Sequence, residues 1–163
     1  MLVSSKHLTL ASPIFAGMAG VVKQDGLIHR EAAEVLLEED DSRVLQIMLN
    51  IVHGLHTKVP RAMEEHTFCE AVALVDKYQF HEIAEVFTDM WFARLESTLP
   101  RGPRADLASR IYICYSLGRP VVFNAMTKIA ILDTNCVFQQ VQEARIPCWI
   151  IGKFSIQDCA SKY

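Results

Sequence analysis

The chain has 163 residues, a formal net charge of -3 and a pI near 6.1, so it lacks the basic surface that nucleic-acid binding requires. Hydrophobic residues make up 51% and charged residues 21%, an apolar balance that predicts some surface covered by a partner. The odd count of 5 widely spaced cysteines, with no C-x-x-C pair, favours reduced thiols in an intracellular protein over a disulfide framework.

Two short helices are predicted at the N-terminus. Ser4 or Ser5 can cap a helix that runs through about Leu10, and Ser12 can cap a second helix that begins at Pro13. Two glycines in the second helix favour fraying near its end. The apolar stretch is interrupted by proline and polar residues, which argues against a signal peptide, and no uncharged run is long enough to cross a bilayer. We therefore expect a cytoplasmic or nuclear location.

A short apolar run, Val35-Leu36-Leu37, predicts a buried strand between Glu34 and Glu38. Four acidic residues at 38–41 follow it and precede a strongly helical segment, in which Asp41 is the expected N-cap. We interpret these acids as stabilising the positive end of the helix, because consecutive side chains point in different directions and do not converge on a metal.

The segment from Ser42 to His53 is predicted to be the central helix of the fold. Only Arg43, Gln46 and Asn50 form a polar stripe on it, so the helix should be buried on nearly all sides. A glycine at position 54 is expected to end it at the C′ position.

Two further helices are predicted at about 64–78 and 81–95, with a brief break at Gln79-Phe80. In the second of them the apolar residues recur at helical spacing and predict the buried face. These residues are Ile83, Val86, Phe87, Met90 and Trp91.

Two prolines and a glycine within residues 100–104 predict a boundary. Beyond it we expect helices at about 106–117 and 120–132, and a short helix at 148–151. The predicted organisation is a first domain at 1–98, a linker at 99–104 and a helical extension at 105–163. Four arginines, expected to be solvated around the linker and the next helix start, are Arg101, Arg104, Arg110 and Arg119.

The sequence contains no pattern that predicts catalysis. Nucleophile, P-loop and dinucleotide motifs are absent, so we predict no catalytic residue and no cofactor. His53 and His56, with Cys69 or His66, form the one conceivable metal-binding set, and a small metal-binding protein or enzyme stays open as an alternative. We prefer a structural role in which His53 contacts the last carbonyl groups of its helix, and we predict no metal.

Three stretches at characteristic distances resemble the BTB/POZ domain in the form found in fungal proteins. They are Ser5 to Phe15, the segment from Leu37 to Asp41 leading to Asn50-Ile51-Val52-His53-Gly54, and Val75 to Phe80. The resemblance covers residues 2–95, and the whole chain is similar to fungal BTB proteins that carry a helical extension.

This resemblance implies an α+β fold that is mostly helical, with a helical cluster and a small β-sheet. The family opens with two β-strands, and the sequence starts where the second should end, so we expect an N-terminally truncated domain with an incomplete sheet. The exposed edge of such a sheet predicts poor solubility.

The resemblance also implies function through protein contacts, with no small-molecule substrate. One use is association with itself or another protein, for which the expected contact residues are Lys6, His7, Thr9, Leu10, Phe15, Met18 and Val22. The other use is as a substrate adaptor that binds a cullin in a ubiquitin ligase. Residues 21–30 lack the hydrophobic-x-Glu triplet typical of cullin binding, so we rank association first and the cullin adaptor second.

Overall fold

The computed structural model describes residues 3–24, 35, 37, 39–97 and 107–132. The chain divides into two compact units, Met1–Arg94 and Leu95–Tyr163. The predicted linker at 99–104 and the predicted helix at 148–151 lie outside the described residues, so both stay predictions.

The described residues form seven α-helices and a single 3₁₀ turn, His56–Lys58, and they contain no β-strand. The helices are α1 (Ser5–Ala11), α2 (Pro13–Gln24), α3 (Ser42–Val52), α4 (Glu65–Tyr78), α5 (His81–Glu96), α6 (Leu107–Ser116) and α7 (Pro120–Leu132). The helix predictions are therefore confirmed within about two residues, except that α2 continues to Gln24.

The predicted α+β class with a small sheet is wrong. Val35 and Leu37 are not in a strand, Val35 is 49% exposed, and the Asp40 N–H donates to the Leu37 carbonyl at 3.4 Å in a turn. A three-residue apolar run forms a strand only where a second strand satisfies its backbone groups, and the described residues provide none. Since the described residues contain no sheet, they have no open sheet edge from which poor solubility would follow.

α3 begins as the sequence predicted, with Asp41 as its N-cap. The Oδ1 atom of Asp41 accepts from the N–H groups of Arg43 at 2.9 Å and Val44 at 3.0 Å. These two bonds lower the pKa of the Asp41 carboxyl, with the Val44 bond the larger cause. The prediction of a helix buried on nearly all sides is confirmed only in part, because Val44, Met48, Leu49, Ile51 and Val52 are buried, whereas the apolar Leu45 and Ile47 are half-buried.

Three helices end in the same way, with a left-handed residue that lets two N–H groups reach back to the last turn. At the end of α3, Gly54 has φ +70° and the following N–H, of Leu55, donates to Asn50 O at 2.8 Å. α6 ends likewise at Gly118, with φ +62°. α4 uses Gln79, the one described non-glycine residue with positive φ, at +55°.

Aromatic rings join α5 to the preceding elements. The Trp91 indole lies edge-on to Phe68 of α4, with centroids 6.0 Å apart, and its Nε1 donates to the Pro60 carbonyl at 2.9 Å. The ring of Phe87 lies 5.3 Å from that of His56 in the 3₁₀ turn. Phe87 and Trp91 both belong to the predicted apolar face of α5, and both are buried.

The predicted face of α5 is wrong at Val86, which is 76% exposed. The buried residues follow a neighbouring stripe that includes Ala84 and Thr88, both small or polar and therefore underweighted by hydrophobicity. Thr88 is buried without penalty because its hydroxyl donates to the Glu85 carbonyl at 2.9 Å.

In the second unit, α6 and α7 pack against each other, and the ring of Tyr115 lies 6.2 Å from that of Phe123. Arg110 is only 2% exposed, so the expectation of a solvated side chain is wrong for this arginine. Burial raises the pKa of the neighbouring Cys114 thiol to about 12, and the negative charge of Glu96 adds to this effect. Arg101 and Arg104 lie outside the described residues.

Candidate interaction surface

In the first unit, Ser12 lies between α1 and α2 and makes two hydrogen bonds through its side chain. Its hydroxyl accepts from the Phe15 N–H at 3.1 Å, which caps α2, and donates to the Tyr78 carbonyl oxygen at 2.6 Å. Ser12 is 1% exposed, so both bonds are shielded from water. One side chain therefore caps a helix and binds that helix to the end of α4.

A stack of aromatic rings lies beside these two bonds. The ring of Phe15 is 4.7 Å from that of Tyr78 and 6.0 Å from that of Phe80, in nearly parallel planes. Tyr78 and Phe80 are almost fully buried. Since Phe15 is 7% exposed, its side chain belongs to the core and not to the exposed surface on which partner contact was expected.

Asp40 connects the segment before α3 to the same place. Its side chain is 1% exposed, accepts a hydrogen bond from the Tyr78 hydroxyl and forms an ion pair with Lys77 Nζ at 2.8 Å. Burial and the bond to the Asp40 carboxylate raise the pKa of the Tyr78 hydroxyl. Sequence reasoning missed this role, because it treated Asp40 as one of four equivalent acids.

His53 connects α3 to α1. Its Nδ1 lies 2.7 Å from the Leu49 carbonyl, which confirms the predicted contact with the last turn, and its Nε2 accepts from the Ser4 N–H at 3.0 Å. The His7 ring lies 5.2 Å from the His53 ring. The residue that precedes α1 is thus attached to the end of the central helix.

The exposed side of α1 carries three of the expected contact residues, Lys6, His7 and Leu10. We call these three residues the α1 surface. Lys6 and His7 each neighbour Leu10, because they lie four and three positions before it on the same helix. Leu10 is 88% exposed, the largest exposure among the described large apolar side chains, and α1 has no buried residue.

The other expected residues are placed differently. Thr9 is half-buried and its hydroxyl donates to the Lys6 carbonyl at 3.1 Å, a contact within the helix. Met18 on α2 is 36% exposed. The side chain of Val22 lies outside the described part of the structure.

The described residues do not bring together the side chains expected for the metal-binding alternative. In that part of the chain no group of three or more His, Cys, Asp and Glu side chains could hold a metal ion. Both ring nitrogens of His53 are engaged by backbone groups, and His56 contacts Phe87. Cys69 is half-buried and Cys114 is buried, and neither is in a disulfide.

Within the described ranges no helix is both long and apolar enough to cross a membrane. No family model, curated protein or solved structure matches the chain.

Proposed function

We propose that the first unit is a protein-association module and that its α1 surface binds a second copy of the chain. The observation that carries this proposal is the 88% exposure of Leu10 on a helix with no buried residue of its own. Burial of a leucine side chain releases about 1.5–3 kcal/mol, so a partner that covers Leu10 gains a useful part of its affinity there.

The attachment of α1 supports the same proposal. Ser4 is held by His53 and Ser12 by Tyr78, so the helix is fixed at both ends while its outer side chains face water. A surface presented on a fixed backbone loses little conformational entropy on binding. The resemblance of Ser5 to Phe15 to the first helices of BTB/POZ domains, which associate there, agrees with this use. The odd number of widely spaced cysteines agrees with a cytoplasmic or nuclear location.

Sedimentation of the whole chain over a concentration series tests the proposal. We expect Leu10→Lys to weaken self-association by about ten- to a hundredfold, the equivalent of one buried leucine. Val86→Lys is the matched control, because Val86 is also an apolar side chain exposed on a helix of this unit. Equal weakening by both substitutions, or a wild-type chain that stays monomeric, would contradict the proposal.

The cullin adaptor remains the second proposal, and it predicts a different result. Met18→Glu should then abolish capture of a purified cullin, whereas Leu10→Lys should leave it intact. If Leu10→Lys weakens self-association and the wild-type chain captures no cullin, the result supports self-association and contradicts the cullin adaptor.

A further inference from the structure

We propose that His53 is a pH-sensitive latch that holds the beginning of α1 against the end of α3 only while its ring is neutral. The latch concerns how α1 is attached, so it does not depend on the proposed self-association.

The geometry requires one protonation state. Nε2 of His53 accepts a hydrogen bond from the Ser4 N–H at 3.0 Å, so this nitrogen must carry a lone pair and no proton. Nδ1 lies 2.7 Å from the Leu49 carbonyl oxygen, which can only accept, so Nδ1 carries the proton. Both contacts are therefore satisfied by a single neutral tautomer.

Protonation of His53 removes the acceptor. The charged ring carries a proton on both nitrogens, so Nε2 then faces the Ser4 N–H as donor against donor. The contact with Leu49 survives, because Nδ1 still donates to its carbonyl. The effect of protonation therefore falls on α1 and not on the end of α3.

Repulsion between neighbouring charges also favours release of α1. The His7 ring on α1 lies 5.2 Å from that of His53, and when both rings are charged they repel each other across the helix contact. The ionisable groups on the elements packed against α3 are Lys6 and His7 on α1, His56 and Lys58 in the 3₁₀ turn, and Glu65, His66, Cys69, Glu70, Asp76, Lys77 and Tyr78 on α4. Of the acids among them, Asp76 is already paired with His81 at 3.3 Å.

Among the described residues, the first turn of α1 has little other support. Ser4 is its N-cap but makes no side-chain capping bond, and none of the helix residues is buried. At its other end α1 continues into Ser12, whose bonds to Phe15 and Tyr78 contain no histidine. Release at His53 therefore frees the first turn while Ser12 keeps the junction in place.

NMR titration of the whole chain between about pH 8 and 5 tests the latch. The Ser4 amide resonance should shift together with the His53 ring, and the hydrogen-exchange protection of α1 amides, corrected for intrinsic rates, should fall by about three- to tenfold. Amides of α4 should keep their protection. The titration is run at a concentration at which sedimentation finds monomer.

Two variants separate the latch from general acid sensitivity. His53→Gln replaces Nε2 with an amide group that does not titrate, so α1 protection should lose its pH dependence. His7→Gln should keep the dependence with a smaller amplitude. Wild-type α1 amides that stay protected while the His53 ring titrates, or the same pH dependence in His53→Gln, would overturn the proposal.

Discussion

The hydroxyl of Ser12 donates a 2.6 Å hydrogen bond to the carbonyl oxygen of Tyr78, and this bond joins the start of α2 to the end of α4. The two residues are 66 positions apart, and both are buried. The same hydroxyl caps α2, so its removal affects two helices at once.

Ser12→Ala should lower the free energy of unfolding by about 2–3 kcal/mol, because it leaves the Phe15 N–H and the Tyr78 carbonyl without this partner in a buried place. Denaturant titration of the whole chain measures the change. Ser5→Ala is the control, since Ser5 is exposed and its substitution should change stability by less than about 0.5 kcal/mol. A similar small effect at Ser12 would show that the junction contributes little.

Tyr78→Phe should destabilise the chain by about 2 kcal/mol at neutral pH through loss of the bond to the Asp40 carboxylate. The pKa of Tyr78 is raised in the folded chain, so the unfolded chain ionises first as pH rises. Stability contributed by Tyr78 is therefore complete below about pH 10 and is lost at roughly 1.4 kcal/mol per pH unit above it. The difference between wild type and Tyr78→Phe should shrink accordingly in denaturant titrations at alkaline pH. A difference that stays constant contradicts this coupling.

Helix ends allow a reciprocal pair of substitutions. Gly54→Ala should cost about 1 kcal/mol, because φ is +70° and no atom lies within 4 Å of an added Cβ, so the cost is conformational alone. Gln79→Gly relieves the same kind of strain at φ +55° and should be neutral or stabilising by up to about 1 kcal/mol. Thermal or denaturant unfolding measures both. Destabilisation by Gln79→Gly would mean that its side chain makes a contact that outweighs the backbone strain.

Cys114 should react with thiol reagents far more slowly than Cys69. Its thiol is buried and has a pKa of about 12, so its thiolate fraction at neutral pH is roughly a thousandfold below that of an ordinary cysteine. Mass spectrometry of peptides after timed alkylation gives the rate at each cysteine separately. Equal rates in the folded chain, as expected for the chain in denaturant, would contradict the burial of Cys114.

The sequence predicted the helices well because their signals are local. Asp41 and Gly54 mark the ends of α3, and Pro13 and Pro120 mark the starts of α2 and α7. The partners of Ser12 and Asp40 could not be predicted, because each bond crosses more than thirty residues and depends on how the helices pack.

The prediction of a sheet was wrong for a related reason. Val35 and Leu37 have the composition of a strand, but a strand is defined by its partner, and three residues carry no information about pairing. The predicted buried face of α5 was wrong at Val86, because packing buries Ala84 and Thr88, whose low hydropathy does not mark them as core residues.

The role of the α1 surface is tested most directly by measuring the amide chemical shifts of the whole labelled chain at a series of decreasing concentrations. If two copies pair through α1, the shifts that change with concentration should be centred on residues 5–11, and Leu10→Lys should abolish the changes while Val86→Lys preserves them. Shifts that do not depend on concentration, or changes centred on Val86 with residues 5–11 unaffected, would contradict association through this surface.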